Sequence, residues 1–199
     1  MSAPEIRSPL ATFHPRGPVG AATETSLSLT EVRLAIVQVQ ARQDFAGEAA
    51  TALEAALGLV LPGAGRFTRH GELSAVSIAP RTWLVTAPLV QDGALHDRLA
   101  VPLAGLAAVT DQSHGKTALK LSGPMSRSVL DKGCRIDLHP RAFGKGHAAV
   151  TTIDHVGVLI AQTDDVPTYY LIVPSTLVQS LLSFLVASAA EFGCSVLEG

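Results

Sequence analysis

The chain has 199 residues, 47% hydrophobic and 16% charged, with a formal net charge of −2 and a mean hydropathy of +0.32. That balance, with no basic stripe, excludes the electrostatic footprint of a nucleic-acid binder. No apolar run is long enough for a membrane-spanning helix, the N-terminus shows no secretion-signal pattern, and two cysteines, Cys134 and Cys194, make no disulfide framework. The expectation is a cytoplasmic protein with reduced thiols. Its apolar richness implies a well-buried α/β core, or surface that faces partner proteins.

Residues 1–28 are rich in Ser, Thr, Pro, Gly and Ala and carry Pro4, Pro9, Pro15 and Pro18. They show no helical or strand period, which fits a tail or an extended arm laid along a partner. Leu34 to Ala41 reads as a strand. Residues 47–60 read as a helix with Ala49, Ala50, Leu53, Ala56 and Leu57 on one face, ended by Pro62-Gly63. Glu72 to Ile78 and Thr82 to Ala87 form a hairpin around Ala79-Pro80-Arg81. Residues 92–100 read as a helix and Ala107 to Asp111 as a strand.

The second half repeats this order. Thr117 to Leu121 is a strand, followed by a helix over 123–132. Ser122 is placed to cap that helix, Pro124 sits near its first turn, and Met125, Val129 and Leu130 make its stripe. Gly133 is expected to supply a left-handed stop. His147 to Asp154, Val156 to Gln162 and Thr168 to Val173 read as strands. A last helix covers 175–191, with Ser175 as cap and Leu177, Leu181, Phe184 and Leu185 as its stripe. The pattern predicts an α+β fold with antiparallel sheets and helices packed on one side. It divides into an arm (1–28), a first lobe (29–112) and a second lobe (113–199), tightly packed as one unit.

Few motifs carry chemistry. His114-Gly115-Lys116-Thr117 is only a fragment of a phosphate loop, because Thr110 stands where the first glycine belongs. The seven histidines include no pair at helical metal-ligand spacing, and there is no Cys-x-x-Cys. No dinucleotide fingerprint occurs, since Gly63-Ala64-Gly65 opens no helix. No catalytic, cofactor-binding or metal-binding residue is therefore assigned. Cys134 follows a helix C-terminus, whose partial negative charge disfavours a thiolate, and reads as an unreactive thiol. From Arg135 to Arg141, the polar Arg135, Asp137, His139 and Arg141 alternate with Ile136, Leu138 and Pro140. Such a segment puts polar groups on one side and apolar groups on the other, as a docking edge would.

The run Lys132-Gly133-Cys134-Arg135-Ile136-Asp137-Leu138-His139-Pro140-Arg141-Ala142-Phe143 resembles the hallmark of the gamma subunit of heterotetrameric sarcosine oxidase. Arg7-Ser8-Pro9-Leu10, Leu29 to Gln38, Ala79 to Val85, Thr110 to Ser113 and Ala189 to Gly193 resemble the same family in order. The resemblance implies the fold of the folate-binding aminomethyltransferase, the glycine-cleavage T-protein. It implies a non-catalytic assembly subunit in a complex that oxidatively demethylates an N-methyl amino acid. Sarcosine would go to glycine, with formaldehyde or methylene-tetrahydrofolate as the one-carbon product. Alpha, beta and delta subunits would be the partners. FAD, FMN, NAD, tetrahydrofolate and zinc would belong to those partners, none to this chain. The expected interface residues are Arg7, Lys132, Arg135, Asp137, His139, Arg141 and Phe143. The chain departs from the family pattern at Pro174-Ser175-Thr176 and Ala149-Val150-Thr151, which points to a paralogous complex for another secondary amine. The rival is a stand-alone folate-binding one-carbon or iron–sulfur-maintenance protein of the same fold. Lys132-Gly133-Cys134 opens the motif of the latter, but Arg135-Ile136 does not continue it.

Overall fold

The computed structural model describes residues 27–197 and the backbone of residues 17–19. Arg7 lies outside the described residues. Among the described residues, twelve strands and four α-helices form two sheets with helices on their outer faces. The fold is α+β, and all strand pairs but one are antiparallel.

The first sheet is built around β3 (Leu34–Ala41), with the order β4-β5-β6-β3-β7. Its other strands are β4 (Phe67–His70), β5 (Leu73–Ala79), β6 (Thr82–Pro88) and β7 (Ala107–Asp111). Strand alternation decides its two faces. Ala35, Val37, Val39 and Ala41 pack with Trp83 and Val85 against α1 (Ala46–Leu57) and α2 (Ala94–Ala100), through Leu53, Leu95 and Leu99. The indole of Trp83 donates to the carbonyl of Pro62 at 2.8 Å, so the ring's one polar atom is satisfied inside this core. Helix α1 stops earlier than Pro62-Gly63. Gly58 takes φ 65°, donates to Glu54 O and ends it. A Cβ there would meet only the ring of exposed His70, at 2.8 Å, which can swing aside, so it is the positive φ that calls for glycine.

The second sheet has the order β1-β12-β2-β8-β11-β10-β9. Its strands are β1 (Gly17–Val19), β2 (Leu27–Val32), β8 (Lys116–Ser122), β9 (Ala148–Ile153), β10 (Val156–Asp164), β11 (Thr168–Pro174) and β12 (Cys194–Leu197). Strand β12 returns after α4 (Val178–Ala189) and pairs parallel with β2, the connection a helical crossover permits. Leu119, Leu121, Val158, Ile160, Tyr169 and Leu171 face α3 (Ser126–Asp131) and α4, meeting Val129, Leu130, Leu181 and Leu185. The opposite faces of the two sheets meet each other. Ile36, Val76 and Leu84 pack there against Ala118, Ala148, Leu159, Ala161 and Ile172. The layers therefore run helix, sheet, sheet, helix.

Several local expectations change. Strand β2 hydrogen-bonds in the second sheet, so a first lobe beginning at residue 29 cuts through a strand. The chain crosses between sheets at Arg33 instead. Helix α3 spans only Ser126–Asp131. Ser122 cannot cap it, because it is the last residue of β8 and its hydroxyl bonds that of Thr168 at 2.9 Å. Gly123, at φ 125°, makes the turn that precedes Pro124. Gly133 is not left-handed: the helix ends on Lys132 at φ −67°. The reason for glycine is space. A Cβ there would lie 2.5 Å from Phe184 Cζ and 3.1 Å from Asp154 N. Ser175 opens a 3-10 turn (Ser175–Leu177) rather than capping α4, and its hydroxyl bonds Thr117 Oγ1 at 3.0 Å. Leu177 is 41% exposed and leaves the stripe to Val178, Leu181, Leu182, Leu185 and Val186. Among the described residues, no helix is long and apolar enough to cross a membrane.

The passage between the sheets is tied at Ser113. Its N–H and hydroxyl both donate to Asp111 Oδ1, at 2.8 and 2.6 Å, and its Oγ accepts from Ile36 N at 3.0 Å. Burial pushes the Asp111 carboxyl up, but the Ser113 bonds and the nearby histidines outweigh it and hold it below the usual carboxylate range. A carboxylate lowered in the folded state contributes stability above its unfolded pKa and loses it as pH falls through its folded value. Ser113→Ala removes the hydroxyl donor. The stability gap between wild type and Ser113→Ala should then narrow as pH drops below about 4, read as urea midpoints between pH 7 and pH 3.

Candidate subunit interface

Helix α3 delivers the segment that follows it to the surface, and the chain pins that segment at both ends. At its start, Gly133 N and Cys134 N both donate to Leu130 O, at 3.1 and 2.8 Å. Cys134 bridges to Ile153 on β9, and Arg135 N donates to Thr152 O at 3.2 Å. Leu138 (1% exposed) and Phe143 (5%) anchor the middle and the end in the second-sheet core. The ring of Phe143 stands edge-on to that of His147, centroids 5.7 Å apart. His147 Nδ1–H donates to Ala142 O at 3.1 Å.

Between the anchors, side chains bond the backbone two residues on. Asp137 Oδ1 accepts from His139 N at 2.8 Å, an Asx turn. His139 Nδ1 accepts from Arg141 N at 3.2 Å, which places that imidazole's proton on Nε2. His139 O then takes the N–H groups of Ala142 and Phe143, at 2.8 and 2.9 Å. The segment is thus a chain of turns rather than the extended strand its alternation suggests, since these local bonds compete with ladder pairing. The separation of faces survives. Arg135, Asp137, His139 and Arg141 are exposed, while Ile136 packs on the core beside buried Leu138. Pro140, expected on the apolar side, is exposed. The result is a preformed surface on which, among the described residues, the Arg135 and Arg141 guanidinium groups have no hydrogen-bond or ion-pair partner.

Lys132 sits apart from this row. Its ammonium donates to Ser188 O at 2.5 Å, pairs with Glu191 and lies 5.0 Å from the Phe192 ring centroid. It meets one of the last carbonyls of α4, where a cation offsets the helix's partial negative charge. Its work is inside the chain, joining the ends of α3 and α4. Cys134 is half-buried, and burial pushes its thiol up against weaker pulls from backbone N–H groups. That agrees with an unreactive thiol. Burial also raises the Asp131 carboxyl, partly offset by Arg127. Among the described residues, no three His, Cys, Asp or Glu side chains are gathered as a metal site.

The sequence missed a second feature, a cleft between the two sheets lined by residues from six segments, including Arg33, Phe67, Arg69, Tyr170 and Ile172. Its only local signal is Arg33, a charged residue between two apolar strands.

Comparison with known proteins decides the family. The sarcosine oxidase, gamma subunit family matches residues 42–191. The chain belongs to that family. The gamma subunit from Arthrobacter sp is 34% identical over 174 residues, covering 85% of this chain and 83% of that protein. The gamma subunit from Corynebacterium sp. (strain U-96) is 30% identical over 149 residues, 72% and 70% of the two chains. Among solved structures, a chain of heterotetrameric sarcosine oxidase from Corynebacterium sp. U-96, in complex with pyrrole 2-carboxylate, superposes with a TM-score of 0.77. It is 26% identical and covers 87% of this chain and 88% of its own. Aminomethyltransferase T of the glycine cleavage system from Bartonella henselae shares the fold, at a TM-score of 0.62 and 15% identity. It covers 87% of this chain and 48% of its own. Residues Lys132 to Phe143 fall within the matched range.

Proposed function

We propose that this chain is a non-catalytic assembly subunit of a sarcosine oxidase-type complex. The observation that carries this reading is the family match over residues 42–191, which includes strands of both sheets and the pinned surface segment. In the complex, alpha, beta and delta subunits would hold FAD, FMN, NAD, tetrahydrofolate and zinc and perform the oxidative demethylation of an N-methyl amino acid. This chain would fix their geometry, which matters because a displacement of about 1 Å far from the chemistry costs on the order of 100-fold in rate. Arg135, His139 and Arg141 would meet acidic groups of a partner, with Asp137 holding the turn that presents them. Leu138 and Phe143 act indirectly, as anchors of that surface. Lys132 contributes through α4, and Arg7 through the N-terminal segment.

Charge reversal tests this directly. The double variant Arg135→Glu/Arg141→Glu alters only exposed groups, so its own unfolding should shift by less than about 0.5 kcal/mol. Co-expressed with the other subunits, it should lower the yield of assembled complex at least tenfold. Whatever complex does form should keep the wild-type KM for the amine. A normal yield with a changed KM would instead place these residues at a substrate site.

A further inference from the structure

Between the facing sheets, near where β2 passes into β3, lies a cleft of about 180 Å³. Its floor is apolar, formed by Val32, Leu34, Phe67, Val76, Leu159 and Ile172. Its rim carries Arg33 and Arg69 with a single carboxylate, Glu72. Tyr170 also lines it, and Lys120 is the directly opposed partner of Tyr170 in the β8–β11 register. Directly opposed residues share a face of the sheet, so Lys120 stands beside the cleft. Among the described residues, the Arg33 guanidinium, the Lys120 ammonium and the Tyr170 hydroxyl make no hydrogen bond or ion pair. Arg69 bonds only the carbonyl of Gly71, at 3.3 Å, within its own turn.

Arg33, Arg69 and the Tyr170 phenol around an apolar hollow, with Lys120 on the same sheet face beside it, outweigh the one carboxylate of Glu72 and call for an anion with an apolar body. The size narrows the choice. Pockets for drug-sized ligands and cofactors start at about 300 Å³, whereas a cavity of about 150 Å³ holds a body the size of benzene. The hollow accommodates one large side chain. Arg33 is well placed to act as a clamp. Its backbone is held where the chain changes sheets, with its carbonyl accepting from Leu89 N at 3.1 Å, and its side chain is exposed at the mouth.

We propose that this cleft is the socket for one apolar anchor residue of a partner subunit, flanked by an Asp or Glu that pairs with Arg33 and Lys120. Anchors of this kind, seated in a pocket and ringed by polar contacts, carry most of the energy of an interface. The inference rests on the assembly reading and adds a second contact, separate from the 135–141 surface.

The test uses purified chain binding to the remainder of its own complex, followed by surface-immobilised binding at two salt concentrations. Arg33→Glu reverses the clamp at an exposed position. Ser74→Trp fills the hollow from β5, where Ser74 is a half-buried lining residue. Each should weaken binding at least tenfold while leaving the circular dichroism melt unchanged, and Arg33→Lys should retain most of the affinity. The salt dependence of wild type should flatten in Arg33→Glu. Wild-type affinity in both Arg33→Glu and Ser74→Trp would overturn the socket while leaving the assembly reading intact. Failure of the wild-type chain itself to bind would instead remove the assembly reading. Phenylacetate, a free aromatic carboxylate, should compete with the partner at millimolar concentration. Saturable micromolar phenylacetate binding that leaves partner binding untouched would also overturn the proposal, making the cleft a small-molecule site.

Discussion

Phe143→Ala should cost about 3–5 kcal/mol of folding stability, as aromatic truncations in a closed core do. Phe143 is 5% exposed, belongs to the core between the second sheet and its helices, and braces the ring of His147 edge-on. Truncation leaves a cavity under the end of the pinned segment. It also releases the turn closed by Phe143 N on His139 O. The loss should therefore appear twice. The urea midpoint should fall with an unchanged m-value. Assembly with partner subunits should weaken even at temperatures where the variant remains folded, because the surface carrying Arg135 and Arg141 loses its anchor. Leu138→Ala, at 1% exposure on the same segment, should behave alike at about 2–5 kcal/mol. A variant as stable as wild type would mean that the segment does not depend on its core anchors.

Gly133→Val should be the most damaging small-to-large change on α3's trailing edge. The first atom of any side chain at this position would sit 2.5 Å from Phe184 Cζ and 3.1 Å from Asp154 N. One neighbour is a stiff ring on α4 and the other is backbone, whose N–H already bonds Gly133 O at 3.0 Å. Neither yields cheaply, so overpacking of about 1–3 kcal/mol or more is expected. A double-mutant cycle checks the cause. Phe184→Ala in the Gly133→Ala background should recover part of the loss, as a coupled pair does. Additive losses would place the need for glycine in the Asp154 backbone contact rather than in the Phe184 contact.

The fold was readable wherever alternation and burial agreed. Leu34–Ala41 and Ala107–Asp111 lie where the pattern put them, and the hairpin at Ala79-Pro80-Arg81 is present. Strand β2 was hidden because its buried positions are Leu27, Leu29 and Glu31, and a glutamate in the series disguises the period. Strand β12 is four residues long and is fixed by its parallel pairing with β2, a tertiary contact no local pattern reports. The shortness of α3 follows from pairing too, since β8 claims Ser122 and leaves the helix to start at Ser126. Gly133 was rightly singled out, for a reason that belongs to α4 rather than to its own helix.

The surface segment was legible as a polar and apolar alternation, but its form was not. Asp137 and His139 look like exposed contact residues in sequence, yet both side chains accept bonds from the backbone ahead. That leaves Arg135 and Arg141 as the open charges. Lys132 likewise looked outward-facing, and Ser188, Glu191 and Phe192, more than fifty residues later, take up its ammonium. The inter-sheet cleft was invisible because its walls come from strands of both sheets, brought together only by the stacking of Ile36, Val76 and Leu84 on Leu159 and Ile172.

The most direct measurement is co-expression of the tagged chain with the large-subunit genes of a sarcosine oxidase-type complex from the same genome, followed by purification through the tag. Flavin-bearing large subunits should copurify in fixed stoichiometry. The Arg135→Glu/Arg141→Glu variant should lose them while remaining folded. A colourless, monodisperse chain that elutes alone from those same cells would contradict the assembly reading.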